Sequence, residues 1–182
     1  LAMLPKYRSY KPDVELSIAE LYYNLEYFDK ALEETKKAIE NGKTYKNTYK
    51  LGKAYNLAGI ILVSKGRIEL AEQYLHKADS IFSELEDEKS KANVLYAKGL
   101  LEMRLGDYET AISHLKPAAQ SYLDQDMLYH EVSAYSSIAD ALSLINPQVY
   151  ANPLREAKEL LQKVSEISHS QGFTKFIEEN HR

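Results

Sequence analysis

The chain of 182 residues contains no cysteine and no tryptophan, and only 7 glycines and 5 prolines. Without cysteine it has no disulfides, no thiolate zinc sites and no thiol catalysis, although a cysteine-free chain functions in either redox environment. No run of about 18 apolar residues occurs, so no segment is long enough to cross a membrane as a helix. The net charge of −4 argues against a general nucleic-acid binder, because such proteins carry a basic excess.

Residues that carry chemistry in enzymes are present but are not grouped into known motifs. The acidic run from Glu84 to Glu88 falls at a predicted helix junction, where acids favour the start of the next helix through its dipole. No HExxH, GxSxG, P-loop or GxGxxG motif occurs. We therefore predict a non-enzymatic chain with no catalytic residues, no metal and no cofactor. The five histidines show no repeated spacing and are predicted to be solvated or packing residues: His76, His114, His130, His169 and His181.

What the sequence does contain is an internal repeat. Ala31, Ala71, Ala111 and Ala157 follow one another at intervals of 40, 40 and 46 residues. Around each alanine, an apolar residue stands three positions before, an apolar residue or Thr four after, and a small or apolar residue seven after. A fixed period of this size is typical of stacked helical repeats, which usually present binding surfaces rather than perform chemistry.

Each alanine is preceded by a second stretch with apolar residues at helical spacing. Gly59 and Gly99 lie inside these stretches, where each costs about 1 kcal/mol against Ala, so we expect them to allow a close approach of two helices. Gly66 and Gly106 predict turns between paired helices. The predicted helices are about 12–26, 27–41, 44–65, 67–85, 87–105, 107–123, 127–145 and 154–171.

These residues resemble the tetratricopeptide (TPR) repeat pattern, in which small residues hold two antiparallel helices together. Gly59 with Ala71 and Ala78 carries the resemblance, as does the run from Gly99 to Ala118 through Gly106-Asp107-Tyr108. The resemblance implies an all-α, right-handed superhelix (solenoid) of four TPR-like helix pairs plus a C-terminal partial helix. Because each unit is about six residues longer than the usual 34, the chain also resembles bacterial TPR sensor and regulatory regions.

The domain organisation follows from this register. We predict an N-terminal extension over 1–11 and a single solenoid over 12–182, whose units span about 12–42, 43–86, 87–125 and 126–171. Residues 173–182 are either the start of a fifth unit or a capping helix. The chain opens with Leu1 rather than Met, so we expect a fragment or a processed form, and both cytoplasmic and periplasmic locations stay open.

In the TPR resemblance, the first helix of each pair lines a concave groove. The implied partner-binding residues are Tyr23, Asn24, Lys53, Asn56, Leu57, Ile60, Val63, Asn93, Tyr96, Leu100, Met103 and Arg104. The same register also places at the groove Leu16, Glu20, Ser133, Ser136, Ser137, Asp140 and Ser143.

The two central units would present an apolar strip of the kind that binds helices and extended peptides. Asn56 and Asn93 at its margins can offer a donor and an acceptor to a peptide backbone. The alternative is that the strip packs on neighbouring helices or on a second copy of the chain. The strip consists of Leu57, Ile60, Val63, Tyr96, Leu100 and Met103.

Two further patterns bear on the partner. The Lys and Asn clamp with which chaperone-binding TPR domains grip a C-terminal carboxylate is missing, because Leu16, Glu20, Leu57, Asn93 and Ala97 stand at its positions. Four lysines on one helix face are either solvated, or receive an acidic partner, or pair with acids of the preceding helix. These lysines are Lys43, Lys46, Lys50 and Lys53, and the acids are Glu33, Glu34 and Glu40.

The sequence therefore predicts a non-catalytic scaffold that binds a protein or a peptide, without nucleic acid or membrane insertion. The alternative is a sensory or dimerisation segment of a larger bacterial signalling protein, such as a histidine kinase, a diguanylate cyclase or a peptide-responsive regulator. In that alternative the chain would form a homodimer.

Overall fold

The computed structural model describes residues 10–145, which form seven α-helices and no strand. From the third helix onward, every helix begins 20 residues after the one before it, so that a helix pair repeats every 40 residues. The predicted all-α repeat is confirmed. The helices are α1 (Lys11–Asn24), α2 (Phe28–Thr44), α3 (Thr48–Ser64), α4 (Ile68–Glu84), α5 (Glu88–Leu105), α6 (Tyr108–Asp124) and α7 (Leu128–Ile145).

The observed helices end within four residues of the predicted bounds over the described part of the chain. The predicted helix at 154–171 and the predicted C-terminal segment at 173–182 lie outside the described residues, as does most of the predicted extension at 1–11. None of the seven helices is both long and apolar enough to cross a membrane.

The helices form two layers. Loops of about three residues join consecutive helices, which therefore run antiparallel. The odd-numbered helices also contact one another in the order α1, α3, α5 and α7, and they form what we call the inner layer. The even-numbered helices pack against them from outside. All inner helices run in the same direction, so their N-terminal ends lie on one side of the molecule.

The repeated alanines lie where two helices cross. Ala31, Ala71 and Ala111 have no exposed surface, while Ala157 lies outside the described residues. Leu75 and Leu115, four residues after two of these alanines, are also buried. The first pair carries the buried Thr35 at that position, and its hydroxyl donates to the Ala31 carbonyl at 2.7 Å. The polar atom is therefore satisfied within its own helix.

Gly59 and Gly99 lie at the closest approach of paired helices, as the sequence predicts. A Cβ on Gly59 would lie 2.4 Å from Leu75 Cδ2, and one on Gly99 would lie 2.5 Å from Leu115 Cγ. Real Cβ atoms do not approach other carbons this closely, so each leucine occupies the space that a side chain would need. The two glycines thus set the distance between α3 and α4 and between α5 and α6.

Each helix from α1 to α6 is followed in its loop by a residue of positive φ, at the same point of every repeat. The next residue then donates its N–H to a carbonyl five positions back, as from Arg67 to Leu62 at 2.9 Å, which satisfies a carbonyl left free at the helix end. Glycine occupies two of these sites and larger residues occupy the other four. The six residues are Glu26, Lys46, Gly66, Glu86, Gly106 and Asp126.

Candidate partner-binding groove

The inner layer encloses an open cavity of about 620 Å³, which we call the groove. Residues of α1 and of α7, the first and the last inner helix of the described residues, both line the groove. The inner layer therefore curves around it. The lining residues are Glu20, Tyr23, Asn24, Tyr49, Lys53, Asn56, Leu57, Ile60, Phe82, Lys89, Ser90, Asn93, Tyr96, Leu100, Tyr122, Met127, Tyr129, His130 and Ser133.

The lining is graded along the inner helices. Tyr49, Lys89 and Tyr129 occupy the same position in the first turns of α3, α5 and α7, because each is separated from the next by one repeat period. We call the part of the lining formed by these three residues, Lys53 and His130 the basic end. Farther along α3 and α5 the lining becomes apolar, ending at Ile60 and Leu100, which also share one register. Along α3 and α5 the lining therefore changes from charged and polar to apolar.

Two lysines line the groove, Lys53 and Lys89. Neither Lys53 nor Lys89 has a carboxylate within ion-pair distance among residues 10–145, and Lys53 Nζ lies 6.0 Å from the centre of the Tyr49 ring. Within the described part of the chain, Glu20 is the only carboxylate in the lining. Five lysines elsewhere do form ion pairs: Lys37, Lys50, Lys65, Lys91 and Lys98.

The four lysines of the stripe predicted at the start of α3 lie in different surroundings. Lys50 forms an ion pair with Asp13 of α1, whereas Lys53 faces the groove. Lys43 and Lys46 are exposed. The proposed pairing of the stripe with acids of α2 is wrong for two of those acids, because Lys37 on the same helix pairs with both Glu33 and Glu34.

His130 of α7 lies in the groove lining, near charged side chains of the other three inner helices. Its burial lowers the pKa of the imidazole below the usual 6.5, and the charges of Lys53 and Lys89 lower it further. The carboxylate of Glu20 opposes this and raises the pKa, which places α1 and α7 within electrostatic reach of each other across the groove. The ring of His130 also lies against Tyr122, with centroids 5.2 Å apart.

The amide of Asn93 is oriented from behind the groove wall. Tyr122 of α6 is 1% exposed, and its hydroxyl donates to Asn93 Oδ1 at 3.0 Å. Burial raises the pKa of Tyr122 well above its usual range, so the hydroxyl keeps its proton. Burial likewise raises the pKa of the neighbouring Tyr96. With its oxygen already engaged, Asn93 has the two N–H donors of its amide left for a partner.

The amide oxygen of Asn56, unlike that of Asn93, receives no hydrogen bond within residues 10–145. Its Oδ1 is buried and has no hydrogen-bond partner among the described residues. A buried acceptor without a donor costs about 1–3 kcal/mol. Asn56 and Asn93, on adjacent inner helices, therefore differ in that only the Asn93 oxygen has a donor within the described residues.

Nine of the twelve residues predicted for partner binding line the groove, and three do not. Val63 is 3% exposed and lies in a core cluster with Ala97 and Leu101 of α5, because α5 packs over the C-terminal end of α3. Met103 is half-buried against the core of the third helix pair, and Arg104 is exposed away from the groove. For Val63 and Met103 the alternative of packing on neighbouring helices is correct.

The wider groove set also divides. Glu20 and Ser133 line the groove, whereas Leu16 is buried in the core. The remaining four predicted positions of α7 do not reach the lining: Ser136, Ser137, Asp140 and Ser143.

Sequence reasoning missed two classes of lining residue. The first comprises first-turn residues such as Lys89 and Tyr129, which stand four positions before Asn93 and Ser133 and therefore share their helix face. The register of the repeat was sufficient to find them. The second class comes from the outer layer and its loops, namely Phe82, Tyr122 and Met127, and depends on side chains reaching between inner helices. Among the described residues, no group of three or more His, Asp or Glu is placed to hold a metal ion.

Comparison with known proteins agrees with this architecture. A family model described as Tetratricopeptide repeat matches residues 52–84 and 92–124, which fall on α3–α4 and α5–α6. The helix pairs α3–α4 and α5–α6 are therefore tetratricopeptide repeats. It is 30% identical over 157 residues to the Regulatory protein RapG of Bacillus subtilis (strain 168), an alignment that covers 83% of this chain and 42% of RapG. The chain thus spans less than half the length of this curated relative.

A solved structure shares the TPR-like fold. The crystal structure of BtubC (BKLC) from P. vanneervenii superimposes with a TM-score of 0.63, covering 88% of this chain and 64% of that chain. The sequence identity is 18%, so the similarity concerns the fold alone.

Proposed function

We propose that this TPR chain is a non-catalytic scaffold that holds a peptide segment of a protein partner in its groove. The observation that carries the proposal is the coexistence of an open apolar surface with unengaged polar groups. Ile60 and Leu100 remain accessible in the lining. Beside them lie the amides of Asn56 and Asn93 and two lysines that form no ion pair within the described residues. Apolar pockets give a peptide its affinity, and such polar groups fix its backbone.

The proposal is tested by charging the apolar end of the groove. The variant Ile60→Asp with Leu100→Asp places two carboxylates where an apolar side chain would bind, and we expect it to abolish peptide binding. Binding is measured by capture of the purified chain on an array of synthetic peptides, and folding by the helical circular dichroism signal. The matched control is Leu70→Asp with Leu85→Asp, because these leucines are exposed and lie outside the groove.

The two variants separate binding from folding. Lost binding with intact helical signal in the groove variant only supports the proposal. Loss of helical signal in the groove variant would show that the strip is core, and equal binding in all three proteins would place the binding surface elsewhere.

A second candidate, a regulatory segment that associates through its end, is favoured by the outer face of α1. Val14, Ile18 and Leu21 are exposed there and form an apolar surface. The residues one repeat later, Ala54, Ala58 and Ile61, are buried against the preceding helix pair. Light scattering over a concentration series distinguishes the candidates: a constant mass near 20.8 kDa leaves the groove proposal, and a stable dimer favours association.

A further inference from the structure

The basic end of the groove has a chemistry that narrows the class of partner. We infer that the peptide held in the groove carries an acidic residue, whose carboxylate lies between Lys53 and Lys89, and an apolar residue that packs on Ile60 and Leu100. The inference rests on the proposed function. The charge of the groove is opposite to that of the protein: the whole chain has a net charge of −4, whereas the described groove lining contains two lysines and a single carboxylate.

Lys53 and Lys89 form none of the ion pairs that join helices in the described residues, unlike other lysines of α3 and α5. Lys50 joins α3 to α1, and Lys98 joins α5 to α4 through Asp79 at 2.7 Å. Lys53 and Lys89 lie on the same helices without a carboxylate partner among the described residues. Unpaired like charges in one concave surface repel each other, and a bound carboxylate would offset that repulsion.

The surrounding groups reinforce an anionic preference at this end. The inner helices α3, α5 and α7 all begin at this end of the groove. The partial positive charges of their N-termini therefore add to the charges of the lysines. The tyrosines in the first turns of α3 and α7 add hydroxyl groups that can donate to a carboxylate. Glu20 of α1 opposes binding of an anion beside it, so it favours a position of the acidic residue toward α5.

The register gives the spacing of the two peptide residues. Lys53 precedes Ile60 by seven residues on α3, which corresponds to about 10 Å along the helix axis. An extended peptide covers about 3.3 Å per residue. A peptide running along α3 would then place its acidic and apolar side chains about three residues apart.

The test uses labelled synthetic nonapeptide pools. Each pool has Leu at one fixed position, Glu, Gln or Lys three residues away, and a mixture of Ala, Ser and Gly elsewhere. Affinities for the purified chain are measured by fluorescence anisotropy at low salt. We expect the Glu pools to bind at least tenfold more tightly than the Lys pools, with a preference that weakens as salt is added.

Charge reversal assigns the preference to the two lysines. We expect Lys53→Glu with Lys89→Glu to invert it, so that the Lys pools bind more tightly. The matched control is Lys43→Glu with Lys46→Glu, which changes the net charge equally at exposed lysines outside the groove. This control is expected to keep the preference for Glu.

The outcomes distinguish failure of this inference from failure of the proposed function. Binding that ignores peptide charge yet is lost in the Ile60→Asp, Leu100→Asp variant overturns the inference and leaves peptide binding in place. A preference that both lysine variants change equally belongs to the overall field of the protein and also overturns it. Absence of binding to every pool overturns the inference and the proposed function together.

Discussion

The second helix pair (α3–α4) and the third (α5–α6) share their packing and differ in the groove. In both, a glycine of the inner helix lies against a leucine of the outer helix, Gly59 against Leu75 and Gly99 against Leu115. Both also present an apolar residue at the far end of the groove, Ile60 and Leu100. At the intervening positions that correspond by the repeat, the two pairs carry different side chains: Tyr49 and Lys89, Lys53 and Asn93, Asn56 and Tyr96, Phe82 and Tyr122.

This difference separates the requirements of the fold from those of recognition. In these two pairs the close approach of the helices leaves no room for a side chain opposite the leucine, so glycine recurs there. The groove positions differ between the two pairs although this contact is the same in both. Under the proposed function, the residues that differ would determine which partner binds, and each variant described next alters one shared or one differing feature.

The largest effect is expected at the shared contact between glycine and leucine. Gly99→Ala places a Cβ 2.5 Å from Leu115 Cγ, so the leucine must move. We expect the free energy of unfolding to fall by about 1–3 kcal/mol, because overpacking outweighs the gain in helix propensity. Urea unfolding measures the change, and Gly59→Ala in the second pair is expected to behave alike.

A double-mutant cycle serves as the control. In a Leu115→Ala background the new Cβ has room, so Gly99→Ala should cost less than it does in the wild type. If Gly99→Ala raised stability in the wild type, the approach of α5 and α6 would be looser than the structure indicates.

An intermediate effect is expected where the two pairs differ behind the groove. Tyr122→Phe gives the third pair the residue that the second carries as Phe82 and removes the donor to Asn93 Oδ1. We expect a loss of about 0.5–1.5 kcal/mol in the free energy of unfolding, measured by chemical denaturation.

The reciprocal change, Phe82→Tyr, is the matched control for Tyr122→Phe. It adds a hydroxyl where the second pair has Lys53 instead of the acceptor Asn93, so the bond made by Tyr122 is not reproduced and we expect a smaller change in stability than Tyr122→Phe causes. Equal stability of Tyr122→Phe and the wild type would contradict the role of the hydroxyl in holding Asn93.

The smallest effect is expected at the ends of the outer helices. Glu86 closes the second pair with a φ of 53°, a conformation that glycine adopts at no steric cost. Glu86→Gly is expected to raise the free energy of unfolding by about 0.5–1 kcal/mol, measured by thermal unfolding. Ser83→Gly within α4 is the control and should lower it by a similar amount. Destabilisation by both changes would argue against the positive φ.

The features that follow a period were predictable from the sequence. Alanine spacing and the two buried glycines predicted the helices and the close approach of paired helices, because a stacked repeat imposes the same contact each time. The turns at Gly66 and Gly106 were predictable for a similar reason. The positive φ of Glu26 and Lys46 in the equivalent turns was not predictable, since no glycine marks it and the hydrogen bonds of the helix end hold a larger residue in the same conformation.

The groove was predictable only in part, because its lining depends on how the inner layer curves. The register identified residues in the middle of each inner helix. It could not show that α5 covers Val63, nor that Tyr122 reaches the lining from the outer layer. Such contacts join positions far apart in the chain, as Tyr122 and Asn93 do, and no local pattern encodes them.

The uniform spacing of helix starts from α2 to α7 determines how such a chain can change in length. Loss or duplication of a whole helix pair leaves every downstream helix in its own layer, whereas loss or gain of a single helix with its loop exchanges the inner and outer helices. Each added pair lengthens the groove by one inner helix, about 10 Å of surface. Genetic rearrangement could therefore adjust the reach of the groove in discrete steps while keeping every contact between paired helices.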